Sequence, residues 1–573
     1  MIEQPLAIGV DDFKEIITKG YYYVDKTLFI KELLDKKGKV SLFTRPRRFG
    51  KTLNLSMFKY YFEDTGDMEQ NKRNAELFSG LAIAEAGENY TREMGRYPVI
   101  MLTLKSAKQR TYEEAFHCLK EAIAEEYARH EKAVIDKLEY FEDVEKYKSI
   151  RGRTAEASDY LTGVAFLSKC LHQAFGKNCV ILIDEYDVPL ENAYFCGFYD
   201  QMVSFVRSLF ESSLKSNPYL EFAVVTGCLR ISRESIFTGL NNLEVLSITR
   251  KDFGEYYGFT QSEVDRMLKE YQMETHAKDV KQWYDGYLFG ETEVYNPWSI
   301  INFVKVHISD RDAFPAPYWA NTSSNSVVRD LVERIDDEEG ELKEELEYLI
   351  NGGTIEKPIH DDITYDAIYD SQDNLWNFLF FTGYLKKVTS RQEGKKNYIT
   401  MSIPNDEVAY IYENTISMWF EKKKKGFEMS PLYKAIEEGD TEGMEEEINR
   451  FLEDTISYFD YAESYYHGFL AGLLRQNREY RVLSNRETGL GRADLILKTP
   501  RIRRGRAIIL ELKAVKKFQE MEQGCEAALR QIDEKQYREE LRQEGYEDIV
   551  AYGICFYRKE CVVREWEKNC LDV

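Results

Sequence analysis

Over the first three hundred residues, short apolar and β-branched runs alternate with longer stretches whose apolar positions recur every three or four residues. That alternation predicts a parallel sheet with helices between its strands. VSLFT (40–44) reads as a strand and KTLNLSMFKYYF (51–62) as a helix. YPVIMLTL (97–104), CVILID (179–184) and EFAVVTG (221–227) read as further strands. The second of these is almost continuously apolar, as a strand buried on both faces must be. Residues 111–150 and 160–176 carry the helical period.

The pattern then changes. DDEEGELKEELEYLI (336–350) predicts a charged amphipathic helix with a solvated face. DNLWNFLFFTGYLKKVTS (373–390) followed by KKNYITMSIPNDEV (395–408) predicts a helix leading into a β-hairpin, the ingredients of a winged-helix module. The last segment opens with a helix, ESYYHGFLAGLLRQN (463–477), then strands at 480–485, 492–499 and 507–514, a helix at 522–542 and a strand at 550–557. A chain of 573 residues exceeds one hydrophobic core. The expected division is an α/β parallel-sheet domain at 1–310, a helical, winged-helix-like region at 311–452 and an α/β domain at 453–573.

Composition narrows the classes. Hydrophobic residues at 43% and aromatics at 14% argue against wholesale disorder. No apolar run reaches the ~18 residues that span a bilayer. The start, MIEQPLAIGVDDF, has no basic region of the secretory type. Nine scattered cysteines without a C-x-x-C pair suit a reducing cytoplasm, and seven histidines make a structural zinc site an unpromising assignment. The net charge of -23 excludes a general polyanion coat, so the basic clusters at 45–48, 422–425 and 498–506 carry the information about anionic partners.

FTRPRRFGKT (43–52) ends as a phosphate-binding loop ends, with Gly50, Lys51 and Thr52 between a strand and a helix. In such a loop, backbone N–H groups at the helix N-terminus hold the phosphates, the lysine reaches the terminal ones, and the Thr hydroxyl ligates Mg2+. Arg45 stands where the first glycine of the usual loop would sit, and Pro46 follows it. The loop must therefore turn differently, with Arg45, Arg47 and Arg48 as candidate sources of charge beside a triphosphate. Asp184 and Glu185 end the apolar run CVILID. The first suits Mg2+ and the second the attacking water; a plain strand-end turn is the alternative.

RPRRFGKT, YYYVDKT (21–27), LIDEYD (182–187), VVTGCLRISRESIFTGLNNL (224–243), WYDGY (283–287) and YNPWS (295–299) together resemble the AAA-ATPase-like family, P-loop proteins common in anaerobic bacteria. The resemblance covers about 310 residues. It implies ATP and Mg2+ as ligands, Lys51 and Thr52 as the Walker A pair, and Asp184 and Glu185 as the Walker B pair. Thr226 becomes a candidate γ-phosphate sensor, and Arg230 and Arg233 candidates for stabilising transition-state charge, with surface arginines as the alternative. Assembly into homo-oligomers is a further implication. In YVDKT, Asp25 or Thr27 is expected to cap the following helix.

In the last segment, Asp494 and Glu511-Leu512-Lys513 lie in successive strands. Strand alternation puts Glu511 and Lys513 on one face. Two carboxylates from neighbouring strands can hold a hard cation, and an ammonium beside them can orient water. A solvent-facing strand edge is the alternative. The combination resembles the PD-(D/E)xK nuclease superfamily over residues 455–560, although Arg492-Ala493 replaces the usual proline before the Asp. On that resemblance Asp494, Glu511 and Lys513 form the core motif, Glu463 the first-helix acid, and Gln531 the polar residue of the following helix. His467 is either a helper or a packed core histidine. The loop KTPRIRRGR is a candidate nucleic-acid contact through Lys498, Arg501, Arg503, Arg504 and Arg506, with DNA favoured over RNA and a solvated hairpin as the alternative.

The resulting expectation is an ATP-binding, cytoplasmic protein whose nuclease-like domain cuts nucleic acid under nucleotide control. A nucleic-acid-binding switch without cleavage and a protein-recruiting scaffold are the other readings.

Overall fold

The computed structural model describes residues 4–229, 236–237, 240–319, 328, 341–350, 352–359, 368, 371–423, 430–455, 463–474, 480–488, 491–499 and 505–566. Two compact units emerge, residues 1–319 with 356–406, and residues 320–355 with 407–573.

In the first unit, β1 (Val40–Thr44), β2 (Val99–Thr103), β3 (Cys179–Asp184), β4 (Leu220–Gly227) and β5 (Leu243–Leu246) form a parallel sheet. Their order is β2-β3-β4-β1-β5. Every residue of β1 and β3 is buried, which explains their largely apolar sequences. β5 was not expected; four residues carry too short a period to be read. The expected helix at 111–150 is two helices, Tyr112–Val134 and Phe141–Arg151. Downstream, β6 (Tyr287–Phe289) and β7 (Thr292–Val294) make a small antiparallel pair. The helix Gln372–Thr382 leads into the hairpin β9 (Lys386–Glu393) and β10 (Lys396–Ser402), with β8 (Ile355–Pro358) beside β10.

YVDKT proves to be a tie-point rather than a helix cap. Asp25 accepts from the backbone N and hydroxyl of Thr27 at 2.8 and 2.6 Å, and from Ala82 N at 2.8 Å. The helix Leu28–Lys36 has no side-chain cap. Lys26 Nζ reaches Glu263 Oε2 and the Glu255 carbonyl, each at 2.6 Å. It thereby fastens the segment that covers β1. In YNPWS, Asn296 caps the helix Pro297–Ser309, accepting from Trp298 N at 2.9 Å.

In the second unit, β11 (Arg481–Thr488), β12 (Gly491–Lys498), β13 (Arg506–Ala514), β14 (Asp548–Tyr557) and β15 (Glu560–Glu565) form one sheet in that order. Only β13 and β14 pair in parallel. A parallel pair needs a crossover, and the chain supplies it with the helices Met521–Glu534 and Tyr537–Gln543. A single helix was expected there; Gln536, at φ 56°, breaks it. Ile496, Ala507 and Ile509 share a core with Ile532, Tyr537 and Leu541, so the crossover helices cover one face of β12 and β13. No helix among the described residues is long and apolar enough to cross a membrane.

Candidate functional site

The loop after β1 takes its left-handed turns at Arg48 (φ 70°) and Gly50 (φ 80°), not at position 45. Gly50 opens the helix Lys51–Phe62. Lys51 is buried, and its ammonium donates to the carbonyls of Arg45 and Pro46, each at 2.9 Å. Cys228 Sγ lies 3.6 Å from the same Nζ. Burial pushes the Cys228 thiol up to about 11, against the pull of Lys51.

β4 lies between the loop strand and the acid strand, so its polar end can bridge them. Asp184 accepts from the Thr52 hydroxyl at Oδ2, 2.7 Å, and from the Thr226 hydroxyl at Oδ1, 2.6 Å. Thr52 at the start of the helix, the strand-end acid and Thr226 thus form one hydrogen-bonded line. Glu185 follows at φ 51°, half-buried; burial first, and Asp184 second, raise its carboxyl above the ordinary range. Asp187 is a residue that motif reading passed over. It is buried and accepts from the backbone N–H groups of Cys228 and Leu229 at 2.7 and 3.0 Å, holding the end of β4 in place. The D-E-Y-D spacing was the available signal.

Arg45 corrects an expectation. Its backbone N–H donates to Gly227 O at 3.0 Å, so it prolongs β1 instead of entering the loop. Strand alternation then places its side chain with that of Phe43. Both lie against Tyr257, and the guanidinium also lies over Phe289. Arg45 is 0% exposed and donates to the carbonyls of Leu246 and Thr44 at 2.6 and 2.9 Å. Burial lowers it to about 10. It shapes the base of the loop and supplies no charge to its mouth. Arg48 is exposed and stacks on Trp298 at 4.3 Å, and Arg47 pairs with Glu191. Arg230 and Arg233 lie outside the described residues.

In the second unit, Asp494 shares the helix-covered face with Ile496, and Glu511 shares it with Ile509. Both carboxylates therefore meet at one end of that face. Asp494 Oδ2 accepts from Leu512 N at 2.8 Å, and Glu511 Oε2 accepts from Asp494 N at 3.4 Å. Glu511 is fully buried. Burial raises the Asp494 carboxyl, with the Leu512 N–H and the Lys513 charge opposing that rise. Tyr537, which sequence reasoning missed, hydrogen-bonds Gln531 and feels both carboxylates; burial pushes it up to about 12. Only the fold brings it there, from beyond the helix break. His467 is buried and its Nε2–H donates to the Asp494 carbonyl at 2.9 Å, so it packs behind the strand and steadies Asp494. Glu463 begins the helix Glu463–Leu474, and its side chain lies outside the described residues.

Among the described residues no three or more His, Cys, Asp or Glu side chains converge as a closed metal cage. One buried and one partly buried carboxylate fit a hard cation that keeps water and phosphate in its shell, as Mg2+ does.

The basic loop is a second correction. Lys498 lies four residues from Asp494 on β12, about 13 Å along the strand, and is buried against Glu544 and Tyr546. Arg506 pairs with Asp548 and donates to the Glu437 carbonyl. Neither faces outward as a phosphate contact. The loop joins the strand ends remote from the carboxylates, because Asp494 lies four residues before the end of β12 and Glu511 five residues after the start of β13. Arg501, Arg503 and Arg504 lie outside the described residues.

Residues 7–237 match the model of a predicted AAA-ATPase, and residues 461–566 match that of the PD-(D/E)XK nuclease superfamily. These are the two regions, in the order, that the sequence resemblances implied. A relative from Azotobacter chroococcum mcd 1, named "Uncharacterized protein in vnfD 5'region", is 27% identical over 334 residues. The match spans 58% of this chain and 57% of that protein.

Proposed function

We propose that the first unit binds ATP with Mg2+ and that the second is a Mg2+-dependent nuclease whose cleavage of nucleic-acid phosphodiesters responds to that nucleotide. The observation that carries the reading is the meeting of Asp494 and Glu511 across β12 and β13, with Lys513 close enough to pull on Asp494. Such a pair, with Glu511 buried, Asp494 partly buried and both accepting from backbone N–H groups, is poorly explained as a solvent-facing edge.

At the second site, Asp494 and Glu511 are the residues to hold the cation, which when bound neutralises charge on a phosphodiester. Lys513 orients the attacking water, and Gln531 and Tyr537 position the carboxylates. His467 holds the strand. At the first site, Lys51 holds the terminal phosphates, Thr52 and Asp184 hold Mg2+, and Glu185 orients water, its raised carboxyl suiting it to take a proton. Thr226, bonded to Asp184, senses occupancy.

Plasmid and single-stranded substrates with Mg2+, with and without ATP, test the reading against Asp494→Ala, Lys513→Ala and Lys51→Ala. Nicking that disappears in the first two variants and changes its ATP response in the third supports it. Cleavage that survives both nuclease substitutions removes the second site from the mechanism. Nucleic-acid binding without any cleavage in the wild type favours the binding switch instead.

A further inference from the structure

Arg47 lies in the loop between β1 and the helix Lys51–Phe62, and its Nη2 donates to both carboxylate oxygens of Glu191, at 2.7 and 2.5 Å. Glu191 belongs to the helix Val188–Cys196, which starts directly beyond the acidic end of β3. The pair is partly exposed, at 35% for the arginine side chain and 15% for the glutamate. Pairs so exposed contribute little to folding stability, which makes this one easy to exchange.

Its surroundings are those of the phosphate loop. The Cys228 thiol lies within the fields of Lys51, Asp187, Arg47 and Glu191, and Lys51 Nζ itself reaches that sulfur. A phosphate held by Lys51 therefore arrives beside a guanidinium already engaged by a carboxylate. Guanidinium takes phosphate and carboxylate in the same geometry, so the two acceptors compete for Arg47. The neighbouring Asn192 donates to the Gln109 carbonyl, so the same helix is tied to the segment leaving β2.

We propose that Glu191 is a nucleotide-responsive latch: it occupies Arg47 until the terminal phosphate of a triphosphate displaces it, and the exchange frees the Glu191 side of its helix. This rests on the reading of the Lys51 loop as a triphosphate site. The latch lowers nucleotide affinity below what the loop alone provides. Arg47 is what favours triphosphate over diphosphate, because only the longer ligand carries the competing group, and the latch narrows that preference. Occupancy is thereby reported by a helix that leads away from the acid strand.

A double-substitution cycle tests this by titrating a non-hydrolysable ATP analogue, and separately ADP, with Mg2+ into the full-length protein. Glu191→Gln keeps the shape and removes the charge; it is expected to bind the analogue about tenfold tighter than wild type and ADP with a smaller change. Arg47→Ala is expected to weaken the analogue, and adding Glu191→Gln to it is expected to change nothing more. Equal affinities for wild type and Glu191→Gln overturn the latch. The same tightening on the Arg47→Ala background also overturns it, since that outcome is a long-range charge effect. Lys51→Ala separates the two ideas. Binding lost in that variant while Glu191→Gln has no effect leaves the phosphate loop intact and removes only the latch. Binding indifferent to Lys51→Ala removes both. Thermal unfolding without nucleotide establishes that each variant is folded, and Glu191→Asp, which retains the charge, is expected to bind as wild type does.

Discussion

The hydroxyl of Thr52 donates to Oδ2 of Asp184 at 2.7 Å across 132 positions of sequence. The threonine is the second residue of a helix and the aspartate the last of a strand. They meet because β4, between their strands, holds both in one plane and adds Thr226 to the same carboxylate. A hydrogen bond to a charged group is worth about 1.5–3 kcal/mol. Thr52→Ala is accordingly expected to weaken Mg2+-dependent ATP affinity by about ten- to a hundredfold, with Thr52→Ser near wild type. Calorimetric titration with and without Mg2+ checks it; equal loss in the absence of the metal rejects the assignment of Thr52 to the cation.

Proton competition is expected at the second site. Burial raises the folded-state value of the Asp494 carboxyl. A cation needs the ionised form, so Mg2+-dependent cleavage should fall as pH drops through that raised value. Without metal the sign for stability is the reverse. A raised carboxyl contributes stability that is complete below its unfolded value and is lost as pH rises through the folded one. Melting temperature should therefore decline over that window in metal-free buffer and recover with Mg2+. Asp494→Asn should abolish both the decline and the recovery.

Arg45 gives the opposite result to the one its position in the motif suggests. Replacing it with glycine, the residue of the usual loop, deletes a side chain packed between Tyr257 and Phe289 and bonded to Leu246. Large-to-small changes of this kind cost about 2–5 kcal/mol. Arg45→Gly is expected to lower the denaturation midpoint accordingly without tightening ATP. A stable variant with better nucleotide affinity refutes the packing role.

The basic cluster should divide in two. Lys498→Ala removes a buried ammonium from a partly exposed Glu544, and losing a hydrogen bond to a charged group costs about 1.5–3 kcal/mol. Its effect should appear in urea denaturation. Joint replacement of Arg501, Arg503 and Arg504 by alanine should instead leave stability unchanged and reduce both nucleic-acid affinity and its salt dependence. Identical salt slopes before and after that replacement exclude the loop as a phosphate contact.

Local pattern alone determined most of the elements: the apolar runs of β1 and β3, the helix opened by Gly50 and Lys51, and the strands that carry Asp494 and Glu511. Period and turn chemistry act within a few residues, so they can be read along the chain. The tertiary structure decided which chemistry-bearing side chains share a space. Arg45 looked like part of a loop because nothing local shows that its N–H extends the ladder to Gly227 and turns its side chain inward. Lys498 looked exposed because its partner, Glu544, comes from beyond the crossover. Tyr537 reached the carboxylates only through a helix break at Gln536, and Glu191 reached Arg47 across 144 positions. Burial and pairing depend on neighbours remote in sequence, and those are chosen by sheet order and packing rather than by any local run.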